Sequence, residues 1–441
     1  MSTERFTTAL RLPAQAAAET EATLIKWHIS PGDTFTKGKV LAEAESAKSS
    51  FTFEAPCDGT VKSILCREGN TSSFDDPVIE IETDDISVKE PQSAPEALQS
   101  EEQLNTGMSV QLKENSDENS KTVGILGIGG YLPKTVVTNK DLLGEFPDVT
   151  EDYIFGVTGI RERRWANPDE RPSDMALIAS QEAIKKSGMK AEDIDAIILS
   201  TTTPDFVMPA TACILQQKLG LRGIPAFDLN AACSGWLYAI SVARGMIYTG
   251  TARNILTCAV DMQSRLLDKK DKSSLFLFGD GAGAAVISAT DSGHTIQREF
   301  ITADSQGLRM ARREYPGYEL PENTDSFDPC IRIDGRALFK FATDSFSSII
   351  REVVEKSGWK PEEINWVVPH QANGRILKAA ATKSGIPFER FYLNIDRVGN
   401  TSSASIPLAL IEIEKYLKKN DKIVFCTVGA GITAAAMSIK W

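Results

Sequence analysis

A chain of 441 residues exceeds one ordinary domain, so two or more folded units are expected, and a hydrophobic fraction of 42% supplies them with sizeable cores. The net charge of −12 argues against nucleic acid or an anionic membrane as the main partner and leaves any acidic partner to a local basic patch. Seven scattered cysteines without a CxxC pair suit free thiols in a reducing cytoplasm rather than a disulfide or metal framework, and no run approaches the roughly 18 apolar residues of a membrane span.

In chain order, residues 7–83 contain an internal repeat. Residues 27–33 (WHISPGD) recur as 64–70 (ILCREGN), and 40–45 (VLAEAE) recur as 77–82 (PVIEIE) at the same offset. Alternating apolar and polar residues between Gly-Asp and Asp-Gly turns predict a small, quasi-symmetric all-β unit. Within it, 41–45 and 51–54 alternate like paired strands whose turn presents 46–50 (SAKSS). The segment resembles the biotinyl/lipoyl attachment domain, a flattened barrel that exposes one lysine at a hairpin tip. That resemblance implies Lys48 as the modified residue, carrying a lipoyl group before biotin, since the methionines that flank a biotin-accepting lysine are absent. The acidic neighbour usual in lipoyl domains is Ala47 here, and an unmodified docking or carrier-like module is the other reading.

Residues 84–121 are rich in Glu, Gln, Ser, Asn and Pro and nearly free of aromatics, a composition that cannot bury enough apolar area to fold alone. A flexible linker of about 37 residues has a root-mean-square span of roughly 30–37 Å. It reads either as a tether or as an inert spacer.

Residues 122–441 open with a buried strand, 123–130, and then alternate: strand 196–200, helix 211–219, strand 226–229, helix 235–248 and strand 255–260. Residues 226–240 (AFDLNAACSGWLYAI) show Phe227, Leu229 and Ala231-Ala232 running as a buried strand toward Cys233, followed by a helix whose apolar residues spread round its circumference. Cys233 is thereby predicted at a strand-to-helix junction, where the helix dipole lowers a thiol pKa. On the residues alone, a small apolar side chain in a buried turn is the plainer reading. The order then recurs: strand 365–369, helix 374–384, strand 391–395, helix 405–417 and strand 423–428. Both halves carry Phe-x-Leu-Asn (227–230 and 391–394), and both close on Gly-Ala-Gly and an apolar strand, 281–287 and 429–439. The expected fold is α/β with two duplicated halves, 122–290 and 291–441.

Such a doubled domain with a cysteine at a strand end resembles the thiolase fold, layered α-β-α-β-α. Five segments in order, 158–163 (TGIRER), 231–235 (AACSG), 278–285 (FGDGAGAA), 369–373 (PHQAN) and 399–402 (GNTS), sharpen the resemblance to ketoacyl-acyl carrier protein synthase III over essentially all of 122–441. The resemblance implies an acyltransferase of fatty-acid, specialised lipid or polyketide synthesis, with Cys233, His370 and Asn400 as catalytic residues. Cys233 would hold an acyl group covalently. His370 and Asn400 would donate hydrogen bonds to the enolate formed when a malonyl thioester loses carbon dioxide, and the N–H groups of Cys233 and Ala430 would meet the new tetrahedral oxyanion. His370 as a core contact, Asn400 as a helix cap and Asp280 as a structural carboxylate are the plainer readings of those positions.

The resemblance further implies acyl carrier protein as partner, phosphopantetheine or coenzyme A thioesters as substrates, no cofactor or metal for the condensation, and a homodimer that lines the acyl pocket near Met208. Arg375 and Lys378, one turn apart on the helix after His370, form the expected basic rim for an acidic carrier. Tyr153 and Val157 stand where the family often clamps adenine between tryptophan and arginine, which points to a primer delivered on a carrier or to weak coenzyme A binding. Two alternatives remain open: acyl transfer to a non-malonyl acceptor, and a carrier or scaffold protein in which Lys48 is the working residue.

Overall fold

The computed structural model describes residues 5–12, 21–46, 50–73, 76–85, 88, 122–290, 294–313 and 328–441. Backbone contacts divide the chain into two compact units, Met1–Glu114 and Asn115–Trp441. Most of the expected linker, 84–121, lies outside the described residues.

The small unit is two four-stranded antiparallel sheets. One runs Phe6–Arg11, Pro77–Thr83, Gly59–Ile64, Thr34–Phe35; the other runs Ser50–Glu54, Val40–Glu45, Glu21–Trp27, Thr71–Ser73. The sequence repeat is the cause of this symmetry, because repeat-related side chains enter one core together. Leu24 and Val61, Ile29 and Cys66, Leu41 and Val78, and Ala44 and Ile81 are all buried. The predicted hairpin is present, with Glu45 opposite Ser50. Lys48, at its tip, lies outside the described residues.

In the large unit the first half supplies β1 (Val123–Tyr131), β2 (Ala196–Ser200), β3 (Ala226–Leu229), β4 (Asn254–Met262) and β5 (Asp280–Ala289). The second supplies β6 (His294–Ala303), β7 (Trp366–Pro369), β8 (Lys422–Gly429) and β9 (Thr433–Lys440). Their spatial order is β3-β2-β4-β5-β1-β6-β9-β8-β7, with the halves meeting at the β1–β6 pairing. The first half reads 3-2-4-5-1, and the second repeats that order except at one place. Residues 391–395, expected to be the counterpart of β3, make only a single parallel bridge, Phe391 to Val367. The ladder stops because the Gln371 side-chain oxygen accepts the N–H groups of Asn394 and Ile395, both at 3.1 Å, and the chain turns into the short helix Ile395–Val398. Likewise the predicted strand 429–439 starts only at Thr433, after a turn at Ala430–Ile432, and the predicted helix 405–417 is α-helical only to Ile413.

Six helices make the layers. Helices α1 (Pro172–Lys186) and α2 (Thr211–Lys218) cover the outer face of the first half through Met175, Ala179, Ala183 and Leu215. Helices α3 (Gly235–Tyr248) and α6 (Ser405–Ile413) fill the layer between the two halves, where Trp236, Ile240, Leu408 and Leu410 meet Ile198, Val368 and Phe425. Helices α4 (Gly335–Lys356) and α5 (Gly374–Ser384) cover the second half through Phe346, Ile350, Leu377 and Ala380. Gly127 and Gly129 let β1 approach α1: a Cβ there would lie 2.3 Å from Ser187 N and 2.2 Å from Ala179 O. The central layer aims the starts of α3 and α6, and the strand ends around them, at one place. Among the described residues no helix is long and apolar enough to cross a membrane.

Candidate active site

Cys233 follows β3 in a short turn, Ala232–Ser234, that leads into α3. Hydrogen bonds between this turn and the second half stitch it down. The Thr427 hydroxyl donates to the Cys233 carbonyl (3.1 Å), the Ser234 hydroxyl to the Thr433 carbonyl (3.0 Å), and the Thr433 hydroxyl to the Ala231 carbonyl (2.8 Å). The Ser402 hydroxyl donates to Cys233 Sγ at 3.6 Å. Burial pushes the Cys233 thiol up to about 12, with the Ser402 hydroxyl pulling the other way. The helix-end position was expected to lower this pKa. At the bottom of a cavity, desolvation of the thiolate outweighs the dipole of α3.

His370 comes directly after β7, its N–H bound to the Cys426 carbonyl at 2.8 Å and its side chain only 1% exposed. Burial pulls the imidazole down to about 3, so the ring is neutral across the physiological range. Its Nδ1 lies 3.0 Å from the Ser405 hydroxyl at the start of α6. With that hydroxyl donating, the ring proton resides on Nε2, the tautomer that donates to a substrate oxygen.

Asn400 is held by four bonds. Its N–H reaches the Leu277 carbonyl (2.9 Å) and its carbonyl accepts from Gly279 N–H (3.0 Å). Its side-chain oxygen accepts from Ser402 N–H (2.9 Å), while Nδ2 donates to the Ala372 carbonyl (3.3 Å). The local capping bond and a role as donor are therefore compatible, because the cap uses the oxygen and leaves one amide hydrogen.

These three side chains, two just past strand ends and Asn400 just past the short helix Ile395–Val398, come from both halves and line a single cavity of about 1940 Å³ together with Ser402 and the Gly429-Ala430-Gly431 turn. Gly429 lies flat against the cysteine turn: a Cβ at this position would be 2.9 Å from Cys233 N and 3.1 Å from Ser234 N. That approach brings the Ala430 turn beside Cys233 N–H. Leu338, Phe339, Ala342 and Phe346 give the cavity an apolar wall. Arg375 and Tyr153 line its mouth, as does Val157, with the Arg375 guanidinium 5.7 Å over the Phe339 ring.

Other expected residues are placed differently. Lys378 is exposed on α5 and Met208 is 85% exposed; neither lines the cavity, although Phe206 and Val207, beside Met208, do. Asp280 is structural, accepting from Ala166 N–H, Ser264 N–H and the Ser264 hydroxyl, and burial pushes it up to about 6. Ser402 and Ser405 were missed as side chains, Ser402 even though its motif was singled out. Serine hydroxyls carry no spacing signal of their own, and only the fold shows which atoms they reach. Among the described residues no group of three or more His, Cys, Asp or Glu forms a metal site.

Comparison with known proteins follows the same division of the chain. Residues 227–305 match the profile described as 3-oxoacyl-[acyl-carrier-protein (ACP)] synthase III and 354–441 match that of its C-terminal part, while 8–81 match the profile described as biotin-requiring enzyme. The beta-ketoacyl-[acyl-carrier-protein] synthase III of Caldanaerobacter subterraneus is 39% identical over 323 residues, 72% of this chain and 97% of that protein. Its counterpart in Fusobacterium nucleatum is 40% identical, covering 73% of this chain and 99% of that protein. Among solved structures, the 3-oxoacyl-[acyl-carrier-protein] synthase III of Aquifex aeolicus superposes with a TM-score of 0.68 at 40% identity, over 72% of this chain and all of that one.

Proposed function

The chain belongs to the beta-ketoacyl-[acyl-carrier-protein] synthase III family, and from that premise we propose that it performs a decarboxylating Claisen condensation. The observation that carries this reading is the convergence of Cys233, His370 and Asn400 on one cavity. Cys233 Sγ attacks the carbonyl of an acyl thioester; the thiol proton leaves with the departing thiolate, and the acyl group stays on Sγ. A malonyl thioester, carried on acyl carrier protein, then loses its carboxylate as carbon dioxide. The electron pair of the broken C–C bond passes into a thioester enolate, which His370 Nε2–H and Asn400 Nδ2–H stabilise. A neutral imidazole suits this task, since it donates without carrying a charge that would trap the malonyl carboxylate. The enolate carbon attacks the acyl-cysteine, the N–H groups of Cys233 and Ala430 take the tetrahedral oxyanion, and collapse breaks the C–S bond, releasing a 3-oxoacyl thioester and a Cys233 thiolate that takes a proton from solvent.

The same proposal covers partners and setting. Arg375 and Lys378 face an acidic carrier protein, and the primer arrives on that carrier or on coenzyme A, loosely held because Tyr153 and Val157 replace the adenine clamp. The exposed loop with Phe206, Val207 and Met208 is the surface offered to a second subunit of a cytoplasmic homodimer. Lys48, in the hairpin between Glu45 and Ser50, is the attachment point for lipoyl or biotinyl on the small unit. Acyl donor and malonyl-carrier are mixed with the full-length protein, and carbon dioxide, product and intact mass are followed. The expected result is an acyl adduct lost in Cys233→Ala and carbon dioxide release lost in His370→Ala and Asn400→Ala. Acyl adducts without carbon dioxide release in the unaltered protein would refute condensation.

A further inference from the structure

Among the buried charged groups that the proposed mechanism does not use, Asp261 lies nearest the chemistry, bonded to the turn that carries Asn400 and Ser402. Asp261, the penultimate residue of β4, is completely buried behind the cavity. Its Oδ1 accepts from the Thr202 N–H (2.8 Å) and hydroxyl (2.7 Å), and its Oδ2 from the Ser403 N–H (3.2 Å) and hydroxyl (2.8 Å). Thr202 follows β2 in the first half, whereas Ser403 belongs to the second half and to the turn that begins at Asn400. Accepting four donors on two oxygens is what an ionised carboxylate does; an amide of the same shape would set N–H groups against donors at one end. Burial pushes this carboxyl up, and hydrogen bonds from Thr202, Ser403 and the Ser402 side chain pull it back.

The turn that Asp261 grips is the one that carries the chemistry. Asn400 is fixed at its start by Leu277 and Gly279, and Ser402 sits in the left-handed region at φ 52°. Ser403 is fixed at the far end by Asp261. Between these anchors lie the Asn400 amide and the Ser402 hydroxyl that reaches Cys233 Sγ. The Cys233 turn itself is held separately, by Thr427 and Thr433.

We propose that Asp261 is a positioning residue for decarboxylation, clamping the 400–403 turn of one half onto the other so that Asn400 and Ser402 stay over the Cys233 thiol. This rests on the condensing reading above. Thr427 and Thr433 hold the backbone of the cysteine turn without Asp261, and at the thiol the Asp261 charge and the Ser402 hydroxyl act in opposite directions, so loosening the clamp disturbs the two half-reactions unequally. Acylation of Cys233 by an acyl thioester is read by intact mass, and decarboxylation by carbon dioxide released from a carboxyl-labelled malonyl thioester. In Asp261→Asn, decarboxylation is expected to fall at least about tenfold, and in Ser403→Ala about fivefold, while acylation stays within about twofold of the unaltered protein in both. Parallel loss of both half-reactions, or loss of neither, overturns the proposal. Should Asp261→Asn fail to fold, Ser403→Ala decides alone, since it keeps the carboxylate and removes one donor. An unaltered protein that acylates without decarboxylating refutes the condensing reading instead, so the two failures are told apart.

Discussion

Replacing His370 by glutamine tests the charge state on which the proposed enolate chemistry depends. In the unfolded chain an imidazole takes up its proton near pH 6.5, whereas burial holds His370 neutral down to about pH 3. Its folded pKa is depressed, so the unfolded state binds the extra proton as pH falls, and acid draws the equilibrium toward unfolding. Between pH 7 and pH 5 this single site removes about 2 kcal/mol of stability from the unaltered protein. His370→Gln has no proton to take up there. Denaturant unfolding of both proteins at pH 7, 6 and 5 should therefore show the stability advantage of the unaltered protein shrinking by about 2 kcal/mol toward the acid end. Asp228, Asp261 and Asp280, which burial pushes up, act alike in both proteins and cancel in the difference. Curves that stay parallel across this range would mean that the folded imidazole titrates normally, and the neutral donor assigned to it would have to be abandoned.

Gly429→Ala sets a methyl group 2.9 Å from Cys233 N and 2.7 Å from the Thr433 hydroxyl. Relieving that contact costs about 1–3 kcal/mol and moves the oxyanion donors, so the unfolding midpoint drops and kcat for condensation falls about a hundredfold. A kcat within twofold of the unaltered protein would reject the oxyanion placement. Ser402→Ala removes the donor that pulls the Cys233 thiol down, so alkylation by iodoacetamide at fixed pH should slow about threefold and its pH profile should move upward. An unshifted profile would count against the Ser402–Cys233 bond. Arg375→Glu reverses a charge at the cavity mouth; KM for a malonyl-carrier substrate should rise about tenfold at low salt with kcat nearly constant, and the effect should shrink as salt is added.

Much of the architecture is legible as periodicity. The repeat in 7–83 carries its own symmetry, since Leu24 and Val61, or Leu41 and Val78, occupy equivalent core positions wherever the two copies pair. The duplicated order of the large unit follows from Phe-x-Leu-Asn and Gly-Ala-Gly appearing twice. The exception is instructive. Residues 391–395 have the composition of a strand, yet Gln371, some twenty positions earlier, accepts the N–H groups of Asn394 and Ile395 and ends the ladder. A distant side chain competing for backbone donors leaves no trace in local patterning.

The candidate site divides in the same way. Motif order and the family resemblance it carries single out Cys233, His370 and Asn400 in the sequence; thiols and imidazoles are scarce in this chain, whereas carboxamides are common and Asn400 is marked only by its Gly-Asn-Thr-Ser context. Their state is a tertiary property. The dipole of α3 is a local quantity and favours a thiolate, but desolvation depends on everything packed around the cavity, and it wins. Ser402, Ser405 and Asp261 are ordinary residues in the chain and gain their roles only where the two halves close on each other. Chemical identity is written residue by residue, whereas burial and long-range hydrogen bonds come into being only when segments far apart in sequence share the same space.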